Sequence, residues 1–387
     1  MALPASNGMK LEDLKVAIVA DWLTNRGGAE QVVLELVDIF PQADIFTSVF
    51  KAKLFPELKN RQVYTSFLQT MPFGAKHQLW PTLRPKAIEQ LDLDNYDLVI
   101  SSSSAEAKGV ITKPETLHIC YCHTPTRYYW SHYHYYLRHP EYGMLNPLVS
   151  FMMPKLIHNL RLWDRVAADR VDRFIANSHH VALRIRKYYE ADAEVIYPPV
   201  DSERFSISPR PEDYYLIVGR QTGYKRTDIA IEAFNQLGLP LKIIGSGPAL
   251  RQWILRAGRN IKFLGQLSNE EVASYMSRCR ALIFPQEEDA GIVPLEAMAS
   301  GRPVIAYRAG GALETVVPNM TGIFFDHKSA PSLIEAIKKF KNIQWKPKII
   351  REHALKFDRK IFQRTLKNFI QRAYNEYQLT QKINYKF

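Results

Sequence analysis

Two glutamates, Glu288 and Glu296, are separated by seven intervening residues in the segment FPQEEDAGIVPLEAMASGRPVIAYRAGG, residues 284–311. Gly291 opens a turn before a helix predicted over 294–300, and Gly301 ends that helix before a strand predicted over 303–306. One carboxylate therefore sits on a loop and the other about two turns away inside a helix, so both can face one ligand at different depths. A carboxylate accepting from two vicinal hydroxyls holds a ribose or a hexose edge. The amides of Gly291, Ile292 and Val293, at a helix N-terminus, are donors to an anion. The competing reading of such a pair is a solvated helix face.

Other residues offer complementary chemistry. Gly219 and Arg220 end a strand predicted over 214–218, and Lys225 follows five residues later. Two cations at a strand-to-helix turn fit a diphosphate, the guanidinium as a fork and the ammonium as a point charge. A strand predicted over 241–244 runs into Gly245-Ser246-Gly247-Pro248, where a flat base can approach the backbone, although a lone Gly-x-Gly after a strand is weak evidence. His123 follows a strand predicted over 117–122, in Cys122-His123-Thr124-Pro125-Thr126-Arg127. The aromatic run from Tyr128 through Trp130 to Tyr136 reads either as a helix packed under a loop or as a stacking platform. His123, His132 and His134 lack a thiolate or acidic partner nearby, which argues against a metal site. Asp92-Leu93-Asp94 has the form of a metal-diphosphate motif, but it precedes a strand and so falls at the wrong end of a sheet.

The elements that must position these groups form two α/β halves. Buried strand Val16–Ala20, a Gly-Gly loop and an apolar-periodic helix over 30–40 open a doubly wound unit. Strands predicted over 97–104, 117–122 and 173–178, with a helix over 159–172, continue it. Consecutive prolines in EVIYPPVD, residues 194–201, make a stiff connector, after which the strand–helix alternation restarts. The expected domains are 1–198 and 199–365, with a C-terminal helix over about 366–387 returning to the first. The helical pattern itself starts earlier, with Asp358 as predicted N-cap and Phe362, Leu366, Phe369, Ile370 and Ala373 in its apolar stripe.

At 387 residues with 46% apolar and 23% charged content, the chain suits two globular domains and excludes disorder. Its three cysteines cannot form a disulfide framework, and Cys120 and Cys122 read as reduced core thiols. No apolar stretch reaches bilayer length, and residues 1–15 read as a floppy leader without a signal-peptide core. These features point to the cytoplasm. The net charge is +12, yet residues 1–198 carry 22 Lys+Arg against 21 acids, whereas residues 338–387 carry 14 against three. That tail is a solvated helical face or a contact for anionic lipid headgroups at the inner face of a membrane. No nucleic-acid-reading motif accompanies it.

The segment around Glu288 and Glu296 resembles the E-x7-E motif of retaining GT-B glycosyltransferases, the large family 4 that includes sucrose synthases and bacterial mannosyl- and glucosyltransferases. The resemblance continues through GRPVIAYRAGGALETV and NMTGIFF and spans nearly the whole chain. It departs at Ala290, where an aromatic is common. It implies a GT-B fold, two Rossmann-like domains facing a central cleft. It implies that Arg220 and Lys225 hold the donor diphosphate, that Glu296 holds the ribose, and that Glu288 takes the hexose hydroxyls. Gly219, Gly245, Ser246, Gly247, Gln266 and Leu267 would meet the nucleotide. Gly27 and Gly28 in Asn25–Glu30 would lie near the donor phosphate, His123 near the sugar, and Arg127, Tyr128 and Trp130 near the acceptor.

The implied reaction is hexosyl transfer with retention, without metal or other cofactor. Its donor would be a nucleotide-diphosphate sugar, UDP-glucose ahead of GDP-mannose, and its acceptor a glycan or lipid-linked glycan of polysaccharide synthesis. The alternatives are a GT-B nucleotide-sugar epimerase and a non-catalytic nucleotide-sugar-binding protein.

Overall fold

The structure, a computed structural model, describes residues 11–74, 76–138 and 146–384. Short runs of β-branched and aliphatic residues become parallel strands because both faces of each are covered, which rewards continuous apolarity over alternation. The chain divides into two compact units, with boundaries at Tyr197/Pro198 and Phe362/Gln363.

Unit 1 contains β1 (Val16–Ala20), β2 (Asp44–Thr47), β3 (Val63–Thr65), β4 (Leu98–Ser103), β5 (Leu117–Cys122), β6 (Arg173–Ala176) and β7 (Ala193–Val195). They pair in parallel in the order β3-β2-β1-β4-β5-β6-β7. The order reverses between β1 and β4, so the loops leaving those two strands diverge to opposite faces and leave a crevice at their carboxyl ends. Cys120 and Cys122 are buried free thiols on β5.

Unit 2 contains β8 (Tyr215–Val218), β9 (Leu241–Ile244), β10 (Ile261–Gly265), β11 (Ala281–Phe284), β12 (Val304–Tyr307) and β13 (Gly322–Phe325), in the order β10-β9-β8-β11-β12-β13. Its switch point lies between β8 and β11. Apolar clusters cover both faces of the sheet, one around Ile217, Phe234, Ile243 and Phe325, the other around Leu216, Leu282, Leu295 and Met298.

Helix Arg359–Asn384 starts in unit 2 and belongs to unit 1 from Gln363 onward. The Asp358 carboxylate caps it, accepting from the Lys360 amide at 2.8 Å. Phe362, Leu366, Ile370, Ala373 and Tyr374 are buried along one stripe. Arg372 pairs with Glu194 at 2.5 Å, and the Gln363 amide donates to Glu35 at 2.6 Å. Among the described residues no helix is long and apolar enough to cross a membrane.

Two local expectations need correction. Residues 1–10 lie outside the described residues, but Leu11–Asp13 forms a short 3-10 helix with Leu11 and Leu14 buried, so that part of the leader is anchored. The helix expected over 159–172 runs from Asn146 to Ala168. Its early turns escape a periodicity search because Pro154 reads as a breaker and Phe151 and Met152 are exposed. Residues 194 and 195, just before the proline connector, pair with β6 as the end of β7.

Candidate functional site

In unit 2 the expected residues gather at the β8/β11 switch point. After β8 the chain passes Gly219 and the exposed Arg220 into a 3-10 turn, Gly223–Lys225. After β11 it passes Gln286 into the Glu288–Gly291 loop. Lys225 Nζ forms an ion pair with Glu288 Oε1, with side chains 18% and 15% exposed. Both charges are therefore reachable from one side yet poorly solvated, where electrostatic interactions are stronger than in bulk water. A Cβ on Gly219 would sit 3.9 Å from Lys225 Nζ, so the ammonium folds back over that strand end.

The loops that carry these groups are locked by close backbone approach. Gly245 has φ +122°, and a Cβ there would lie 2.0 Å from the Gly219 carbonyl oxygen. Only glycine fits. Gln221, 1% exposed, ties the two loops together: its Nε2 donates to the carbonyls of Gly219 (2.6 Å) and Ile244 (3.2 Å). Its amide donates to the Ser246 carbonyl at 2.9 Å, and its own carbonyl accepts from Ala249. The Glu288 loop is clamped likewise. The Gly311 amide donates to the Glu288 carbonyl at 2.8 Å, and a Cβ on Gly310, at φ +59°, would lie 2.2 Å from that oxygen. A Cβ on Gly311 would come within 2.6 Å of Ala290 Cα, so Ala290 packs directly on this glycine pair.

Gly291, at φ +74°, is the N-cap of helix Ile292–Ala299, and its Ile292 and Val293 amides open the first turn. Glu296, one turn in, accepts from Arg204 Nη2 at 2.7 Å. Burial pushes its carboxyl up to about 7, against the opposing pull of Arg204. Glu288 and Glu296 thus have different cations, Lys225 and Arg204, and Arg204 lies 92 residues away in sequence. Ser246 and Gln266 are exposed and Leu267 half-buried after β9 and β10.

In unit 1, Gly27 is the N-cap of helix Gly28–Ile39. Asp21, just past β1, accepts from the amides of Ser104 (2.7 Å), Ala105 (3.0 Å) and Ala107 (2.6 Å) and so fixes the exit of β4. Glu30 accepts from Asn25 Nδ2 at 3.2 Å. Burial, with a further contribution from the Asp21 charge, pushes the Glu30 carboxyl up to about 7. The folded chain keeps a proton there between its ordinary 4.5 and 7 that the unfolded chain has released, so stability falls as pH rises through that window. Glu30→Gln should flatten this slope in melting temperatures recorded across the window. Glu296 acts in the same direction, so the slope should diminish without vanishing.

His123 follows β5, is 8% exposed, and its Nε2 lies 2.8 Å from Ser102 Oγ on β4. Arg127 is half-buried in the turn that follows. Tyr128 and Trp130 are packed inward. Arg84 lies 5.3 Å from the Tyr128 ring centroid. Trp130 stacks on Tyr188 at 4.9 Å, and its indole N–H donates to Asp164 at 2.7 Å. Both rings keep part of their surface exposed while making these contacts within unit 1. Asp92 and Asp94 precede β4, at the opposite end from His123, and Asp94 pairs with Lys113 at 3.2 Å.

Within unit 2 the fold therefore brings Gly219, Lys225, Gly245, Gly247 and Glu288 together. Within unit 1 it places Gly27, Gly28 and His123 at strand carboxyl ends. Sequence reasoning missed Gln221, Arg204, Asp21 and Asp164. Gln221 had the only local signal, a buried polar residue between two glycine-flanked strand ends.

Comparison with known proteins agrees with this arrangement. Residues 26–204 match the family described as Glycosyltransferase Family 4, and residues 201–357 match Glycosyl transferases group 1. An uncharacterised glycosyltransferase of Methanocaldococcus jannaschii is 29% identical over 205 residues, 52% of this chain and 58% of that protein. The alpha-1,3/1,6-mannosyltransferase ALG2 of Saccharomyces cerevisiae is 25% identical over 416 aligned positions, covering 86% of this chain and 77% of its own. The crystal structure of Anabaena HepE with UDP and glucose matches with a TM-score of 0.69 at 19% identity, over 92% of this chain and 99% of that one. Sucrose-phosphate synthase of Thermosynechococcus elongatus matches at 0.70 and 16% identity, over 94% and 100%. With both halves matched and two Rossmann-like units in place, the chain belongs to the family 4, group 1 glycosyltransferases of the GT-B fold.

Proposed function

We propose that the chain transfers a hexose from a nucleotide-diphosphate sugar to a glycan or lipid-linked glycan, with retention at the anomeric carbon and without a metal ion. The observation that carries this reading is the Lys225–Glu288 pair at the switch point of unit 2, in the loop that also carries the exposed Arg220 after β8. Transfer breaks the bond between the anomeric carbon and the β-phosphate oxygen, leaving negative charge on the departing diphosphate. Lys225 and Arg220 are fixed cations for that charge. Glu288 orients the Lys225 ammonium and meets hexose hydroxyls, Glu296 accepts from the ribose, and His123 holds the sugar. The acceptor's proton passes to the departing phosphate, so no protein nucleophile is assigned.

UDP-glucose is the favoured donor. GDP-mannose is the second reading, favoured by the yeast relative, a mannosyltransferase aligned over 86% of this chain. Calorimetric titration with UDP, GDP and ADP separates the two. UDP is expected to bind about tenfold tighter than the others, a difference of about 1.4 kcal/mol. A preference for GDP would transfer the assignment to mannose, and no binding by any of them would refute the donor site. EDTA should leave turnover unchanged. Donor consumption without acceptor, giving an epimerised sugar, would favour the epimerase alternative. Peripheral contact of the basic tail with an anionic membrane suits a lipid-linked acceptor and a site at the inner membrane face. Co-sedimentation with phosphatidylglycerol vesicles, lost in high salt, is its expected signature.

A further inference from the structure

In the segment from His123 to Trp130, His123 is tied to β4, its amide donating to the Ser103 carbonyl at 2.8 Å, whereas residues 124–130 are a chain of turns before the next helix. Helix Asn146–Ala168 grips it from adjacent turns. Arg161 Nε donates to the Tyr129 carbonyl at 2.7 Å. Three residues on, Asp164 is fully buried and accepts four hydrogen bonds. Lys108 Nζ (2.5 Å) and Thr126 Oγ1 (2.9 Å) donate to Oδ1, while Trp130 Nε1 (2.7 Å) and Tyr189 OH (2.8 Å) donate to Oδ2. Two donors on each oxygen fill a carboxylate's capacity. An uncharged group could not replace it: an amide in that place would turn N–H toward at least one N–H or ammonium.

Buried ions are poor value as simple glue, since apolar residues of similar volume often stabilise as well. Geometry gives this one a use. Two of its four donors come from the segment that carries His123 and Arg127, and Thr126 stands between those two residues. We infer that Asp164 is a positioning residue, which sets the place of His123 and Arg127 at the carboxyl end of β5 by holding Thr126 and Trp130. The inference rests on the reading of His123 as a sugar-site residue.

The test compares variants that remove one bond each from the same carboxylate. Thr126→Val loses the bond from the functional segment, and Tyr189→Phe loses the bond from helix His179–Tyr189. Both should fold with similar small drops in melting temperature, and both should bind nucleotide like wild type, because that site lies in unit 2. Thr126→Val should lower kcat/KM by about tenfold or more, as misplacement of a site by a fraction of an ångström does. Tyr189→Phe should stay within about twofold of wild type. Separately, the side-chain NMR signals of His123 should shift in Thr126→Val and remain in place in Tyr189→Phe. Equal losses in the two variants, or unmoved His123 signals in Thr126→Val, would overturn the inference. If the wild type transfers no sugar, the proposed function fails, while the NMR comparison still decides whether Asp164 sets the segment.

Discussion

Replacing Lys225 with methionine is expected to lower kcat by about 10²–10³-fold, the effect of deleting one fixed donor to charge that develops in a transition state. The apolar stem keeps its volume beside Tyr224, so circular dichroism and melting should report an intact fold. The loss should appear in kcat as well as in kcat/KM, because the ammonium is needed most when the diphosphate departs. A rise in KM with kcat unchanged would instead mean that Lys225 binds donor and transition state equally. Glu288→Gln should have a related but smaller effect, since it leaves the ammonium in place and neutralises the carboxylate that orients it and meets the hexose hydroxyls. Activity like wild type in Lys225→Met would sink the assignment of the site.

The largest effect on stability is expected at Lys108, in the core of unit 1. Its side chain is 1% exposed and that of Asp164 is not exposed at all. Burial alone would push the Lys108 ammonium down, but the Asp164 carboxylate outweighs it and holds the group above its ordinary range. Lys108→Met leaves that carboxylate without its counter-ion, a loss of about 3–5 kcal/mol by analogy with broken buried pairs. For a unit of this size the melting temperature should fall by about 10 °C or more. Removing the charge at both positions should cost less than the sum of the single changes, as coupled neighbours do. A single change worth under about 1 kcal/mol would mean that the pair is not the buried ion pair described here.

Most strands of the two sheets could be read from the sequence because their signals are local, although β2, β3 and β13 were not among them. Strands β5, β8 and β9 fall where their apolar runs place them, bounded by Gly, Pro, Asp or polar residues. The donor-side loops were legible for the same reason, since glycines at strand ends and charged residues beside them are punctuation within a short window. Partners were not legible. Glu296 was found from its spacing to Glu288, but nothing nearby announces Arg204, because a salt bridge across 92 residues leaves no periodicity. Asp164 is hidden differently: it falls on the inward face of an otherwise apolar stripe, where hydropathy counts a carboxylate as solvent-facing. Trp130 hides a partner as well. A row of aromatics gives no sign that one indole N–H ends on that buried carboxylate.

Helix Arg359–Asn384, which leaves unit 2 at Phe362, has a consequence for how the protein is made. Unit 2 is continuous from Pro198 to Phe362, whereas unit 1 joins residues up to Tyr197 with helix residues from Gln363 onward. Phe369, Ile370, Ala373 and Tyr374 reach their buried places only after all of unit 2 has been synthesised. At the ~5–20 residues per second of translation, the half that emerges first waits roughly 10–40 s with one flank uncovered. The half synthesised second can be complete before it. Birth order and completion order are reversed in this chain, and the nascent first half is the stage at which a chaperone would find exposed apolar surface.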